Sequence, residues 1–176
     1  FDYDLDNELL GLFDKSNIQY RYYINMKTIE GNFDNPEVNQ LLKKHFIELR
    51  SVSPEGSTHV LDIEGLQNKS IKFWSIYEND ELIGCGALKF LDPKHGEFKS
   101  IRVSDFFRKK GYGNKIIKVL IDKSRKLNIQ KISVETGSGE FFLPARKLFK
   151  NSGFTECKPF SHYVDDPNSC YMSLKL

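Results

Sequence analysis

The chain has 176 residues, of which 39% are hydrophobic and 28% charged, enough for one domain with a buried core and ordinary for a soluble globular protein. The formal net charge is only +2, no apolar run approaches the roughly 20 residues of a membrane span, and no basic stretch leading into an apolar core marks a secretory leader. The three cysteines, Cys85, Cys157 and Cys170, are odd in number and widely spaced, which argues against a disulfide framework or a metal site and for a reducing, cytoplasmic setting.

Residues 1–24 are acidic and aromatic, with Asp2, Asp4, Asp6, Glu8 and Asp14 early in the run. They read as an N-terminal extension of unassigned role ahead of a single domain, 25–176. Residues 26–30 read as a strand. Asn35-Pro36-Glu37 is a helix start, with a capping side chain, proline at the first helical position and an acidic residue after it. Leu41, Leu42, His45, Phe46 and Leu49 recur at helical spacing, so the helix runs to about residue 50. Ser53-Pro54-Glu55-Gly56 breaks it, and a short helix is expected at 61–66.

Residues 72–78 and 82–91 read as strands joined by an Asn79-Asp80 turn. A second turn at 92–96 leads into a strand at 97–103. Residues 113–127 carry Ile116, Ile117, Leu120, Ile121 and Leu127, the spacing of an amphipathic helix. A strand at 131–136, a helix at 142–151 stopped by Gly153, and strands at 154–160 and 170–176 complete the chain. This order is that of an α/β domain with a mixed sheet.

The distribution of charge singles out one region. Between positions 94 and 131, Lys and Arg far outnumber Glu97, Asp105 and Asp122, which suggests a phosphate-bearing partner. Within it, Arg108-Lys109-Lys110-Gly111-Tyr112-Gly113-Asn114-Lys115 stands between a strand and a helix. A helix N-terminus offers unpaired amides and partial positive charge, so an anion sits there naturally. Gly111 and Gly113 would let backbone approach phosphate without a Cβ in the way. Lys110-Gly111-Tyr112-Gly113 also opens like the strand of an RNA-recognition motif, but Asn114-Lys115 and a helical period follow, so no nucleic-acid partner is expected. The glycine spacings of a dinucleotide fold or P-loop are absent.

The Arg108-x-x-Gly111-x-Gly113 pattern, set between a strand and a helix, resembles the acetyl-CoA signature of the GNAT superfamily of N-acetyltransferases. Pro144-Ala145-Arg146-Lys147-Leu148-Phe149, followed by Gly153-Phe154, resembles that family's second cofactor-side helix. Ser53-Pro54-Glu55, Gly84-Cys85-Gly86-Ala87-Leu88, residues 96–100, Glu135-Thr136-Gly137-Ser138 and Asp166-Pro167-Asn168-Ser169 resemble small stand-alone bacterial acetyltransferases of the indole-acetic-acid type. The resemblance implies a three-layer α-β-α fold whose mixed, mostly antiparallel sheet is splayed in the middle to admit the cofactor.

It also implies that acetyl-CoA donates its acetyl group to a primary amine by direct attack. The expected acceptor is a small molecule, with a protein lysine or N-terminus, or a non-catalytic acyl-CoA-binding role, left open. A homodimer is left open too, and no membrane partner is expected. Glu97, eleven residues before Arg108, takes the place of a catalytic glutamate that deprotonates the amine, directly or through one water. The pantetheine arm would pair with the backbone of Ile101, Arg102 and Val103. The phosphates would meet residues 108–115, and Pro144 and Phe149 would complete the cofactor side. Many relatives have a tyrosine at Phe149 that protonates the leaving sulfur; phenylalanine has no proton to give, so water, Tyr163 or Tyr171 would have to serve. Glu55, His59, Trp74, Asp166 and Asn168 are the acceptor-side candidates. His45, on the apolar stripe of its helix, reads as a core residue.

Overall fold

A computed structural model describes residues 26–54, 56–57 and 59–176. The proposed extension at 1–24 and the candidate Glu55 lie outside the described residues. Strand β1 (Met26–Glu30) leads to helix α1 (Pro36–Val52), and the Asn35 side chain caps it by accepting from the Glu37 amide at 2.9 Å and the Val38 amide at 3.3 Å. Short helix α2 (Ile63–Leu66) starts later than expected because Asp62 is its cap, accepting from the Gly65 amide. Strands β2 (Ile71–Glu78) and β3 (Glu81–Asp92) form a hairpin. Its two turn residues, Asn79 and Asp80, have φ of 51° and 62°, the paired left-handed conformation whose twist suits a two-residue turn.

Strand β4 (His95–Val103) runs through a single turn of 3-10 helix (Asp105–Phe107) to helix α3 (Tyr112–Lys126). Then come β5 (Lys131–Gly137), a second 3-10 turn (Glu140–Phe142), α4 (Leu143–Asn151), β6 (Thr155–Glu156) and β7 (Ser169–Lys175). The strand expected at 154–160 shrinks to two residues. Pro159 has no amide to donate, and Phe160 turns inward to pack with Tyr163 and Tyr171.

Among the described residues, seven strands form one sheet in the order β1-β2-β3-β4-β5-β7-β6. Helices cover both faces. One face packs Trp74, Ile76, Phe98, Ile132 and Val134 against Ile116 and Leu120 of α3 and Phe149 of α4. The other packs Phe73, Tyr77, Cys85 and Ala87 against Val38, Leu41 and Leu42 of α1. The result is a three-layer α/β domain. Among the described residues no helix is long and apolar enough to cross a membrane.

The middle of the sheet positions the site. All neighbouring strands are antiparallel except β4 and β5, which pair in parallel only from His95 to Glu97 against Lys131 to Ser133. Just beyond, β4 bulges opposite Cys85–Ala87, with Ser100 at φ 50°. A bulge bends its strand and strengthens the local twist. From there β4 stays with β3 while β5 stays with β7, and the two central strands part.

Candidate active site

The parting leaves a cleft of about 790 Å³. Residues 98–103 of β4 line one wall and residues 134–137 of β5, with Ser138 just after it, the other. The second 3-10 turn and the start of α4 extend the β5 side, and α1 with Ser53, Pro54, Ser57, His59 and Val60 closes the opposite face.

One end of the cleft meets the start of α3. Gly111 caps this helix at φ 82°, and no side chain bonds to its first turn. A Cβ built on Gly111 would meet nothing within 4 Å. The glycine is therefore required by the left-handed backbone, and the space before it is open. Gly113 has a different reason to be small: a Cβ there would approach Leu148 of α4 to 3.0 Å. Uncapped amides and the helix dipole make this end a place for an anion. Arg108, Lys109, Gly111, Gly113 and Asn114 all line the cleft. Arg108 is held at the rim by Asp105, at 3.1 Å, and Glu48, at 3.6 Å.

Three expected phosphate residues direct their side chains elsewhere. Tyr112 Oη donates to Glu78 at 2.6 Å, and Lys115 Nζ pairs with the same carboxylate at 2.6 Å. Both side chains thus tie α3 to the end of β2. Lys110 is exposed and does not line the cleft.

Ile101, Arg102 and Val103 line the cleft, and among the described residues their edge of β4 has no strand partner on the β5 side. An extended ligand arm could pair with it as an added strand. The Arg102 side chain is spent on packing: it is buried and bonded to Glu48 of α1. Pro144 and Phe149 line the α4 side, and the Phe149 ring packs edge-on against Phe154 with centroids 5.4 Å apart.

The other end is polar. Ser57, His59, Lys99, Glu135 and Asn168 line it. Asn168 reaches Ser57 at 3.3 Å, and the backbone of its turn is anchored to the end of β5 through Ser138. Asp166 braces that turn by accepting from the Asn168 amide at 2.8 Å and does not line the cleft. Its carboxyl is held below the usual range, first by a hydrogen bond from Ser57 and then by the Asn168 amide. Trp74, expected as an acceptor wall, is 2% exposed in the core beneath α3 and does not line the cleft.

Glu97 is fully buried and is not among the cleft-lining residues. Tyr163 Oη donates to its Oε1 at 2.6 Å, Lys99 Nζ stands 3.2 Å from the same oxygen, and Oε2 has no partner. An open base in direct reach of an acceptor, as expected of Glu97, is therefore not what this side chain presents. The Tyr163 hydroxyl, also bonded to Lys99 at 3.0 Å, has its pKa raised by burial and by the Glu97 charge.

Lys99 and Glu135 were missed as site residues. The available signal was their spacing, two residues beyond Glu97 and Ser133, which puts polar groups on one face of two strands. Burial raises the Glu135 carboxyl, opposed by the Ser169 hydrogen bond and the Lys99 and His59 charges. His45 is buried as expected, yet it also lines the cleft and its Nδ1 has no partner.

The sequence matches the model of the acetyltransferase (GNAT) family over residues 36–154. It is 44% identical over 140 residues to the uncharacterized N-acetyltransferase YsnE of Bacillus subtilis, covering 80% of this chain and 93% of that protein. It is 28% identical over 140 residues to the IAA acetyltransferase of Azospirillum brasilense, covering 79% and 90%. In fold it resembles a Bacillus subtilis acetyltransferase solved in complex with CoA, with a TM-score of 0.64, 19% identity and coverage of 86% of this chain and 99% of that one. The splayed sheet, the uncapped glycine loop and these likenesses agree, and the chain belongs to the acetyltransferase (GNAT) family.

Proposed function

We propose that the chain moves the acetyl group of acetyl-CoA to the primary amine of a small molecule, both held at once in the cleft between β4 and β5. The observation that carries this reading is the unpartnered β4 edge running from the polar pocket to the uncapped start of α3. The residues fit coenzyme A: Arg108, Lys109 and the amides after Gly111 would hold its phosphates, the backbone of Ile101 to Val103 its pantetheine arm, and Pro144 and Phe149 its other side. When bound, the cofactor supplies an acetyl thioester reactive toward a neutral amine. A β4 amide would polarise the thioester oxygen.

The polar end would receive the acceptor. Hydrogen bonding between Asn168 and Ser57 joins two loops across its rim, which favours a small acceptor over a protein tail. In this reading Glu97 acts indirectly, from beneath the cleft floor, by fixing Lys99 at the cleft wall and the Tyr163 hydroxyl behind it. Phe149 offers no proton, and the Tyr163 and Tyr171 hydroxyls are engaged with Glu97 and the Val164 carbonyl, so solvent protonates the departing thiolate.

The test is thiol release from acetyl-CoA across a panel of amino acids, polyamines and aromatic amines, alongside calorimetric binding of acetyl-CoA. Tight binding with amine-dependent release is expected. Absence of binding would overturn the reading, and binding without release for any amine would leave only a CoA-binding domain.

A further inference from the structure

We infer that Glu135 is the carboxylate that binds the acceptor's ammonium group and takes its proton. The inference rests on the acetyltransferase reading above.

Position is the first ground. Glu97 and Ser133 face each other in the last pair that joins β4 to β5. Side chains on one face of a strand recur every two residues, so Lys99 and Glu135 come next on that same face, where the strands have begun to part. They stand on opposite lips of the cleft, and both line it. The second ground is the state of the carboxylate. Ser169 Oγ donates to Glu135 Oε1 at 2.7 Å and fixes the group. Among the described residues no hydrogen bond reaches Oε2, and Glu135 itself is only partly buried. The residue borders the pocket directly. Glu97, by contrast, has no exposed surface and spends Oε1 on Tyr163 and Lys99.

The surroundings suit the task. Glu135 faces Glu97 and Lys99 from β4, His59, Tyr163 from the segment before β7, and Ser169 and Tyr171 from β7. Burial raises its carboxyl above the ordinary range despite the opposing Ser169, Lys99 and His59 contributions. A more basic carboxylate is a better proton acceptor near neutral pH.

The step balances. An R–NH3+ acceptor gives one proton to Glu135, leaving the neutral amine. The nitrogen lone pair forms the bond to the acetyl carbon, and the carbon–sulfur bond breaks with its electron pair going to sulfur. A second proton from the nitrogen passes through water to that sulfur. Glu135 then returns its proton to solvent, so one proton is released per turnover.

The experiment uses the full chain, with the amine from the panel that gives the fastest thiol release. Glu135→Gln should bind acetyl-CoA with unchanged affinity and melt as the parent does, yet lose about 10²–10⁴ in kcat. In the parent, kcat/KM should fall tenfold per pH unit on the acidic side of the Glu135 pKa. Glu135→Gln should abolish that limb, while Glu135→Asp should keep it at a reduced rate. A purely structural Glu135 would leave the limb in place in Glu135→Gln. Retention of rate and limb in Glu135→Gln, or loss of the limb in Glu97→Gln alone, would overturn this assignment and spare the acetyltransferase reading. Absence of release with every amine in the parent would defeat both.

Discussion

Tyr163 donates its hydroxyl proton to Glu97 Oε1 at 2.6 Å across 66 positions of sequence. The bond ties the segment before β7 to the last paired residue of β4, directly beneath the point where the sheet opens. It leaves a fully buried carboxylate with one neutral donor and one cation, Lys99.

Removing that donor should be felt in stability. Tyr163→Phe keeps the ring packing with Phe160 and His59 but strips Glu97 of a hydrogen bond. A buried group left short of a partner costs roughly 1–3 kcal/mol. Urea denaturation should show a lower midpoint with an unchanged slope. Since Tyr163 does not line the cleft, acetyl-CoA affinity should stay the same.

The phosphate loop can be tested apart from the rest of the cofactor site. At Gly111 the φ of 82° makes any side chain strained, by about 1–2 kcal/mol for alanine. Gly111→Ala should therefore lower the melting temperature modestly. It should also weaken acetyl-CoA binding about tenfold or more by placing a Cβ where the phosphates approach. With acetyl-pantetheine, which lacks the pyrophosphate, kcat/KM should be nearly unaffected. Equal losses for both donors would show that Gly111 serves only the turn.

His45 predicts an acid-side loss of stability. Burial, reinforced by the Arg102 charge, lowers its pKa from 6.5 to about 4. The imidazole is thus neutral in the fold, and between those values the unfolded chain binds more protons. This contribution is fully present above pH 6.5 and is lost as pH falls toward about 4, by at most about 3 kcal/mol. His45→Leu should flatten the dependence of unfolding free energy on pH across that window by up to about 1.4 kcal/mol per unit. An unchanged slope would mean that His45 is solvated or paired in the fold.

The three free cysteines should differ in reactivity. Cys85 is fully buried between β2 and β4, and burial pushes its thiol up to about 12. It should resist a thiol reagent until the protein unfolds, because the thiolate is the reactive form. Cys157 and Cys170 are partly exposed and should react first. Mass spectrometry of a timed labelling reaction in the native state would show modification of Cys85 alone or first if this is wrong.

Much of the architecture was legible in the chain itself. The Asn35 cap, the Asn79-Asp80 turn, the apolar stripe at Ile116, Ile117 and Leu120, and the stop at Gly153 are local signals, and each element appears where they place it. The basic loop with Gly111 and Gly113 was legible for the same reason, since a glycine before a helix acts through its own backbone. Boundaries drifted where caps decided them, as at Asp62 and Gly111, and the strand after Phe154 was cut short by Pro159.

The division of labour within the site was not legible. Tyr112 and Lys115 belong to the basic loop by sequence, but Glu78 on a distant strand claims both. Glu97 has the spacing of a base, yet its partners come from Lys99 and, far along the chain, Tyr163. Trp74 reads as a pocket wall and is core, because which face of a strand buried on both sides meets a ligand depends on what packs there.

What the sequence determined by itself was the set of elements, their order and the anion-ready start of α3, since these follow from backbone preferences acting over a few residues. Only the tertiary structure decided that β4 would leave β5 after Glu97, and so that Lys99 and Glu135 would face each other across a gap. That outcome depends on the bulge at Ser100 and on strands competing for partners across the sheet, interactions between residues remote in the chain that no local pattern encodes.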